Sequence, residues 1–184
     1  MKEYDFILML EEIIEKIRNN YQSYHFFVER DFVWTVQELF AENIEKNRLS
    51  YVIYNDYPIE KGERRSRSVD LAVVRKGISY TDIITGKEKA ELVIEFKFEP
   101  SKRREDILTC KFPVTDWKGI RDDIKRIKQF VGDGKAKTAV AMLIDEGGRY
   151  GHREIENPSK WVDWGNCGTD NLNVSIMWTA LRFG

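Results

Sequence analysis

The chain has 184 residues, 42% of them hydrophobic and including ten Phe, eight Tyr and five Trp, enough apolar material for one domain with a sizeable core, which excludes a disordered chain. Thirty Lys and Arg against 31 Asp and Glu give a formal net charge of −1, so any attraction to a polyanion must come from local patches. Two His and two Cys (Cys110 and Cys167, in no zinc spacing) exclude schemes built on several histidines and a cysteine-held zinc, and point to reduced thiols.

In chain order, Phe6, Leu8, Met9, Ile13, Ile14 and Ile17 recur near a 3.6-residue period and predict a helix over 5–19. Its apolar stretch, Phe6 to Leu10, is cut short by Glu11 and Glu12, too early for a signal peptide. No window approaches the ~18 apolar residues of a membrane span, so a soluble, cytoplasmic protein is expected. A longer helix is predicted over 27–46. Leu49 to Tyr57 reads as a strand ended by Pro58, followed by the charged loop EKGERRSR. Ser68 to Arg75 is a second strand, and Lys76-Gly77 turns. Residues 78–90 read as a hairpin arm with a turn around Gly86. Glu91 to Phe98 is a third strand, apolar enough to be central.

Residues 99–114 are polar and irregular. A helix over 116–131 carries Ile120, Ile124, Ile127, Phe130 and Val131, and Gly132 and Gly134 stop it. Lys137 to Ile144 is a fourth strand. Gly- and Asn-rich loops with Trp161 and Trp164 lead to a last strand near Leu172 to Thr179. The order predicts a layered α/β fold in a single domain over 1–184: an N-terminal helical extension (1–24), a core (27–144) and C-terminal loops with a strand (145–184).

Two strands carry charge where strands disfavour it. Asp70 sits inside SVDLAVV, and Glu95 and Lys97 interrupt ELVIEFKF. Alternation puts Glu95 and Lys97 on one face, and Asp70 joins them if its strand is the neighbour. Two carboxylates and an ammonium in one pocket suit Mg²⁺, which takes a few carboxylates and keeps several waters. Such a metal activates water and neutralises charge on a phosphodiester. The lysine would orient or help deprotonate that water, or stabilise the transition state. Burial lowers its pKa and the carboxylates raise it.

The spacing Asp70, twenty-four residues, then Glu95-Phe96-Lys97 resembles the signature of the PD-(D/E)XK, or restriction-endonuclease-like, nuclease superfamily. Val69 stands where the nominal signature has proline. The resemblance covers residues 27–144 and implies an αβββαβ core, here a mixed central sheet flanked by helices with an extra N-terminal helix. It also implies a metal-dependent endonuclease acting on DNA (RNA not excluded), of a kind used in restriction, repair or mobile-element maintenance, that leaves 5′-phosphate and 3′-hydroxyl ends. Asp70 and Glu95 would hold Mg²⁺, or Mn²⁺ as a substitute, with the Phe96 backbone carbonyl as a further ligand, and Lys97 would serve the attacking water.

Many members add a glutamate from the helix before the first strand. Glu29 and Glu38 compete for that role, nine positions apart and so on opposite helix faces. Glu29 shares its face with Phe32, Val33, Val36 and Phe40, whereas Glu38 lies among Asp31, Trp34, Thr35 and Glu42, so Glu29 is the expected fourth catalytic residue. FVERDFVWTVQ also resembles the first core helix of several such nucleases.

Arg64, Arg65 and Arg67 before Asp70, and Lys102, Arg103 and Arg104 after Lys97, are the candidate contacts to nucleic-acid phosphates, with solvated loop charge as the competing reading. Lys125 and Arg126 read as surface charge, His152 as structural, and Trp161 and Trp164 as packing residues. Specificity would come from loops, a homodimer or a partner protein. The competing function is a non-catalytic nucleic-acid-binding or assembly module on the same fold. A small-molecule hydrolase lacks its nucleophile–base pair.

Overall fold

The strand β3 (Ala90–Glu99) is almost wholly buried, apolar on one face (Leu92, Ile94, Phe96, Phe98) and carrying Glu91, Glu95, Lys97 and Glu99 on the other, and it lies inside a six-stranded sheet with helices on either side. The computed structural model describes residues 4–63, 66–107 and 115–183. Before β3 come α1 (Phe6–Asn19), α2 (Tyr21–Tyr24), α3 (Glu29–Lys46), β1 (Tyr51–Glu60), β2 (Arg67–Arg75) and α4 (Tyr80–Ile84). After it come α5 (Trp117–Gly132), β4 (Ala136–Glu146), β5 (Lys160–Gly165), a 3-10 turn (Thr169–Asn171) and β6 (Val174–Arg182). The sheet order is β1-β2-β3-β4-β6-β5. Only β3 and β4 run parallel, joined through α5, so the sheet is mixed. Among the described residues no helix is long and apolar enough to cross a membrane.

The amphipathic helices decide the layers. Met9, Leu10, Ile13 and Ile17 of α1, with Phe32, Val36 and Phe40 of α3, pack on Leu92, Ile94, Phe96 and Phe98. The opposite residues of the sheet, Ala72, Val74, Val93, Ala139 and Ala141, meet Ile83 of α4 and Ile127 and Phe130 of α5. Side chains at odd positions of β3 therefore face α5. Helix starts are capped locally. Asp5 accepts from the N–H groups of Ile7 and Leu8, and Asp116 from that of Gly119. In α3, Asp31 folds back to accept from the Phe27 and Val28 N–H groups.

Three expectations change. Pro58 does not end β1 but lies within it; β1 is an edge strand, where a missing N–H is tolerated, and the register shifts after Pro58. Residues 78–90 contain α4, whose first turn is capped by Ser79 and Asp82, instead of a hairpin arm. Lys160–Gly165 forms the edge strand β5 against β6 and not a loop.

Candidate active site

β2 and β3 are hydrogen-bonded neighbours, but only through Leu71↔Ile94, Ala72↔Val93 and Val73↔Leu92. Beyond that the pairing stops, while β3 stays in register with β4 as far as Glu99↔Asp145. The Phe96 N–H, which has no strand partner on the β2 side, donates instead to Asp70 Oδ2 at 2.7 Å. A carboxylate replaces the absent carbonyl and satisfies the donor. The same bond carries Asp70 from β2 to the part of β3 that holds Glu95 and Lys97.

The α5 side of this notch is charged. Glu95 is 2% exposed, and its Oε2 lies 3.0 Å from Arg126 Nη2 of α5. The same guanidinium reaches Asp123 Oδ1 at 2.5 Å. Lys97 Nζ lies 3.2 Å from Asp123 Oδ2, 3.4 Å from Glu29 Oε2 and 2.9 Å from its neighbour's carbonyl, Phe96 O. Glu29 is the first residue of α3 and half-buried, whereas Glu38 is exposed. The residues Asp70, Glu95, Lys97 and Glu29, singled out in the sequence, are thus brought together by β2, β3 and α3.

Asp123 and Arg126 complete the cluster, and the sequence reading missed both. Asp123 falls three residues after Ile120 and four before Ile127, on the buried face of α5. A carboxylate at that spacing among isoleucines was the available signal. Arg126, expected to be surface charge, is partly exposed but pairs with the buried Glu95.

Four carboxylates meet two cations here, an excess of two negative charges in a largely buried place. Burial, then the charge of Asp70, push the Glu95 carboxyl well above its usual range, against the pull of Arg126. Burial raises Glu29 and Asp123 as well, each opposed first by Lys97. For Lys97, burial pulls the value down, but Asp123, Glu29 and Asp70 outweigh it and hold the ammonium above its ordinary value.

Among the described residues, no group of three or more His, Cys, Asp or Glu is arranged as a ready metal cage. Mg²⁺ needs fewer, since one or two carboxylates plus water suffice. Glu95 Oε1 is buried with no hydrogen-bond partner, and a buried carboxylate oxygen left so is costly. That orphaned oxygen and the uncompensated negative charge both fit a divalent cation held by Glu95 and Asp70. Phe96 O already accepts from Lys97, and a carbonyl has a second lone pair for a further ligand.

The basic residues divide. Arg64 and Arg65 lie outside the described residues, as does Cys110. Arg67 is exposed and paired with Glu60 at 3.2 Å; Lys102 and Arg103 are exposed. Arg104 corrects the expectation of a phosphate contact. Its side chain is fully buried, bonded to Asp106, to Glu146 and to the Phe26 carbonyl, so it ties three segments together. Lys125 pairs with Asp122 on the surface, His152 is exposed, and Trp164 packs edge-on against Tyr21. A cavity of about 650 Å³ lies at the other end of β3, among Lys89, Glu91, Lys137 and Arg182, away from these carboxylates. No family model, curated protein or solved structure matches the chain.

Proposed function

We propose that the chain is a Mg²⁺-dependent deoxyribonuclease with a restriction-endonuclease-like core, cutting phosphodiester bonds at Asp70, Glu95 and Lys97. One observation carries this reading: two carboxylates and an ammonium from neighbouring strands share one notch, where the buried Glu95 Oε1 has no partner. The order α3, β1, β2, β3, α5, β4, with the short α4 inserted between β2 and β3, supports the same core.

In this reading Asp70 and Glu95 hold the metal, with the Phe96 carbonyl as a further oxygen. The metal, when bound, supplies charge neutralisation at the phosphate and a more acidic water. Asp123, Glu29 and Asp70 hold the Lys97 pKa above its ordinary value. In this reading Lys97 is a hydrogen-bond donor that orients the nucleophile and meets developing negative charge. Glu29 and Asp123 grip its ammonium from two sides and fix where it points. Arg126 binds Glu95 through Oε2 and leaves Oε1 without a hydrogen-bond partner.

The test is incubation of plasmid, single-stranded DNA and RNA with Mg²⁺ or Mn²⁺. Wild type should cut at least one of them. Lys97→Ala and Asp70→Ala should each lose cleavage by roughly a hundred-fold or more, as for removal of a group that acts on the transition state. Cleavage that survives both substitutions sinks the assignment. Binding without cleavage by wild type would favour the non-catalytic module.

A further inference from the structure

Next to Asp70, the edge strand β1 does something a strand does not do without cause. Asp56 takes the left-handed conformation, φ 46°, in the middle of β1. This breaks the two-residue alternation of the strand. Tyr54 and Tyr57, three positions apart, consequently share a side and stack, with ring centroids 5.3 Å apart and planes at 26°. Their partners on β2 are Ala72 and Val69, so Asp70 lies between those partners on the adjacent strand. Across from them stands Tyr80, the first residue of α4, 56% exposed.

Together with Asn55, Pro58 and Ile78, these rings line a cavity of about 340 Å³. That is at the small end of ligand sites and suits one flat ring system. Tyr57 is buried, yet its hydroxyl has no hydrogen-bond partner. A buried phenol normally finds an acceptor, and leaving it without one is costly. The cavity's lining contains no cation, so it is not built for a phosphate. Its chemistry is aromatic faces with neutral polar edges from Asn55, Ser79 and the tyrosine hydroxyls, which matches a planar ring carrying hydrogen-bonding groups on its edge. Nucleobases have that character, and every base offers a face for stacking.

Building on the nuclease reading above, we infer that this tyrosine slot receives one unpaired nucleobase of the strand being cut. A base inside a duplex has both faces stacked and its pairing edge engaged, and must leave the stack to enter such a slot. The substrate is therefore single-stranded or locally unpaired nucleic acid. Tyr54 and Tyr80 supply stacking surface, and the buried Tyr57 ring backs Tyr54.

The experiment is fluorescence anisotropy in EDTA, so that nothing is cut. The probes are a short fluorescein-labelled DNA single strand, the same strand with abasic sites, and a blunt duplex of the same sequence. Wild type should prefer the intact single strand over the abasic one by roughly ten-fold, the effect of about one stacked base. Tyr54→Ala and Tyr80→Ala should remove most of that preference, and Tyr54→Phe should keep it. Tyr54 and Tyr80 are exposed, so truncation spares the core, and unchanged melting temperatures check this. Alanine variants that discriminate like wild type, or a wild type that prefers the duplex, would overturn the slot and leave the nuclease reading standing. A wild type that binds none of the three probes overturns both.

Discussion

Arg126 reaches from α5 to β3 and holds Glu95 Oε2 at 3.0 Å, with the carboxylate 2% and the arginine side chain 37% exposed. The pair is therefore asymmetric: removing the arginine strands a buried charge, while much of the arginine's own energy is screened by water. Arg126→Ala should lower stability in urea by about 2 kcal/mol near neutral pH, less than a fully enclosed pair would lose. The deficit should shrink as pH falls, because burial already favours the protonated carboxyl of Glu95 and loss of Arg126 favours it further. A deficit that stays constant with pH would mean that Arg126 acts through packing alone.

The raised carboxyls set the sign of the pH response. Folding lifts Glu95, Glu29 and Asp123 above their ordinary values, so between those values and the native ones the folded chain binds more protons than the unfolded chain. Stability contributed by these groups falls as pH climbs through that window. Lys97 is also raised, and its contribution is lost only in strong alkali, above the ordinary lysine value. Asp5, Asp82 and Asp106 are lowered, and what they contribute is lost only in acid, below the ordinary aspartate value. In EDTA the urea midpoint should therefore rise between about pH 8 and about pH 5. Asp145 and Glu146 act with the same sign, so the diagnostic is the difference made by Glu95→Gln, which should flatten the profile. An identical slope in that variant would contradict the charge balance described for the notch.

A divalent cation reverses this response, because it needs the carboxylates ionised. Calorimetric titration with Mg²⁺ or Mn²⁺ should show tighter binding and fewer released protons at about pH 8 than at about pH 6. Melting temperature should rise with metal, by mass action on the folded state alone. Asp70→Asn and Glu95→Gln should each weaken binding by roughly ten-fold or more. Equal affinity in wild type and Glu95→Gln would remove Glu95 Oε1 as a ligand.

Arg104 and its neighbours separate structure from binding. Arg104 and Glu146 have fully buried side chains, so Arg104→Ala leaves Glu146 uncompensated and should cost about 3–5 kcal/mol in denaturant unfolding. Lys102→Ala and Arg103→Ala should leave the melting temperature unchanged. If either side chain contacts phosphate, the slope of log affinity against log salt should fall by about one per substitution. A destabilised Lys102→Ala would show that this exposed cation has a structural partner.

How much of this was legible in sequence depended on how many neighbours each residue answers to. β3 was readable because Val93, Ile94, Phe96 and Phe98 form an apolar run, in which Glu95 and Lys97 stand out. Helices α1, α3 and α5 were readable from period alone, and Glu29 from the face it shares with Phe32 and Phe40. Asp123 was hidden because it follows another aspartate in a charged stretch, and its partner Lys97 lies on β3, far along the chain. Arg104 deceived for the same reason: Lys102-Arg103-Arg104 reads as one basic run, but the turn formed where the Arg104 N–H meets Ser101 O points the last side chain inward. β5 had only six residues and one ladder, against β6, with Gly and Asn beside it. Pro58 misled because a residue forbidden in central strands is harmless on an edge.

The bond from the Phe96 amide to Asp70 makes one backbone proton a witness to the chemistry beside it. In most sheets an amide is shielded by a neutral carbonyl that never changes charge. Here the shield is an ionisable side chain on another strand, and in the function proposed above that side chain is also a ligand of the cation. The nitrogen-15 and proton resonances of Phe96 should therefore move when Asp70 is occupied or loses its charge, and its deuterium uptake should slow or quicken with them. A single labelled phenylalanine would follow the loading of the notch in solution, without substrate and without altering any residue that forms it.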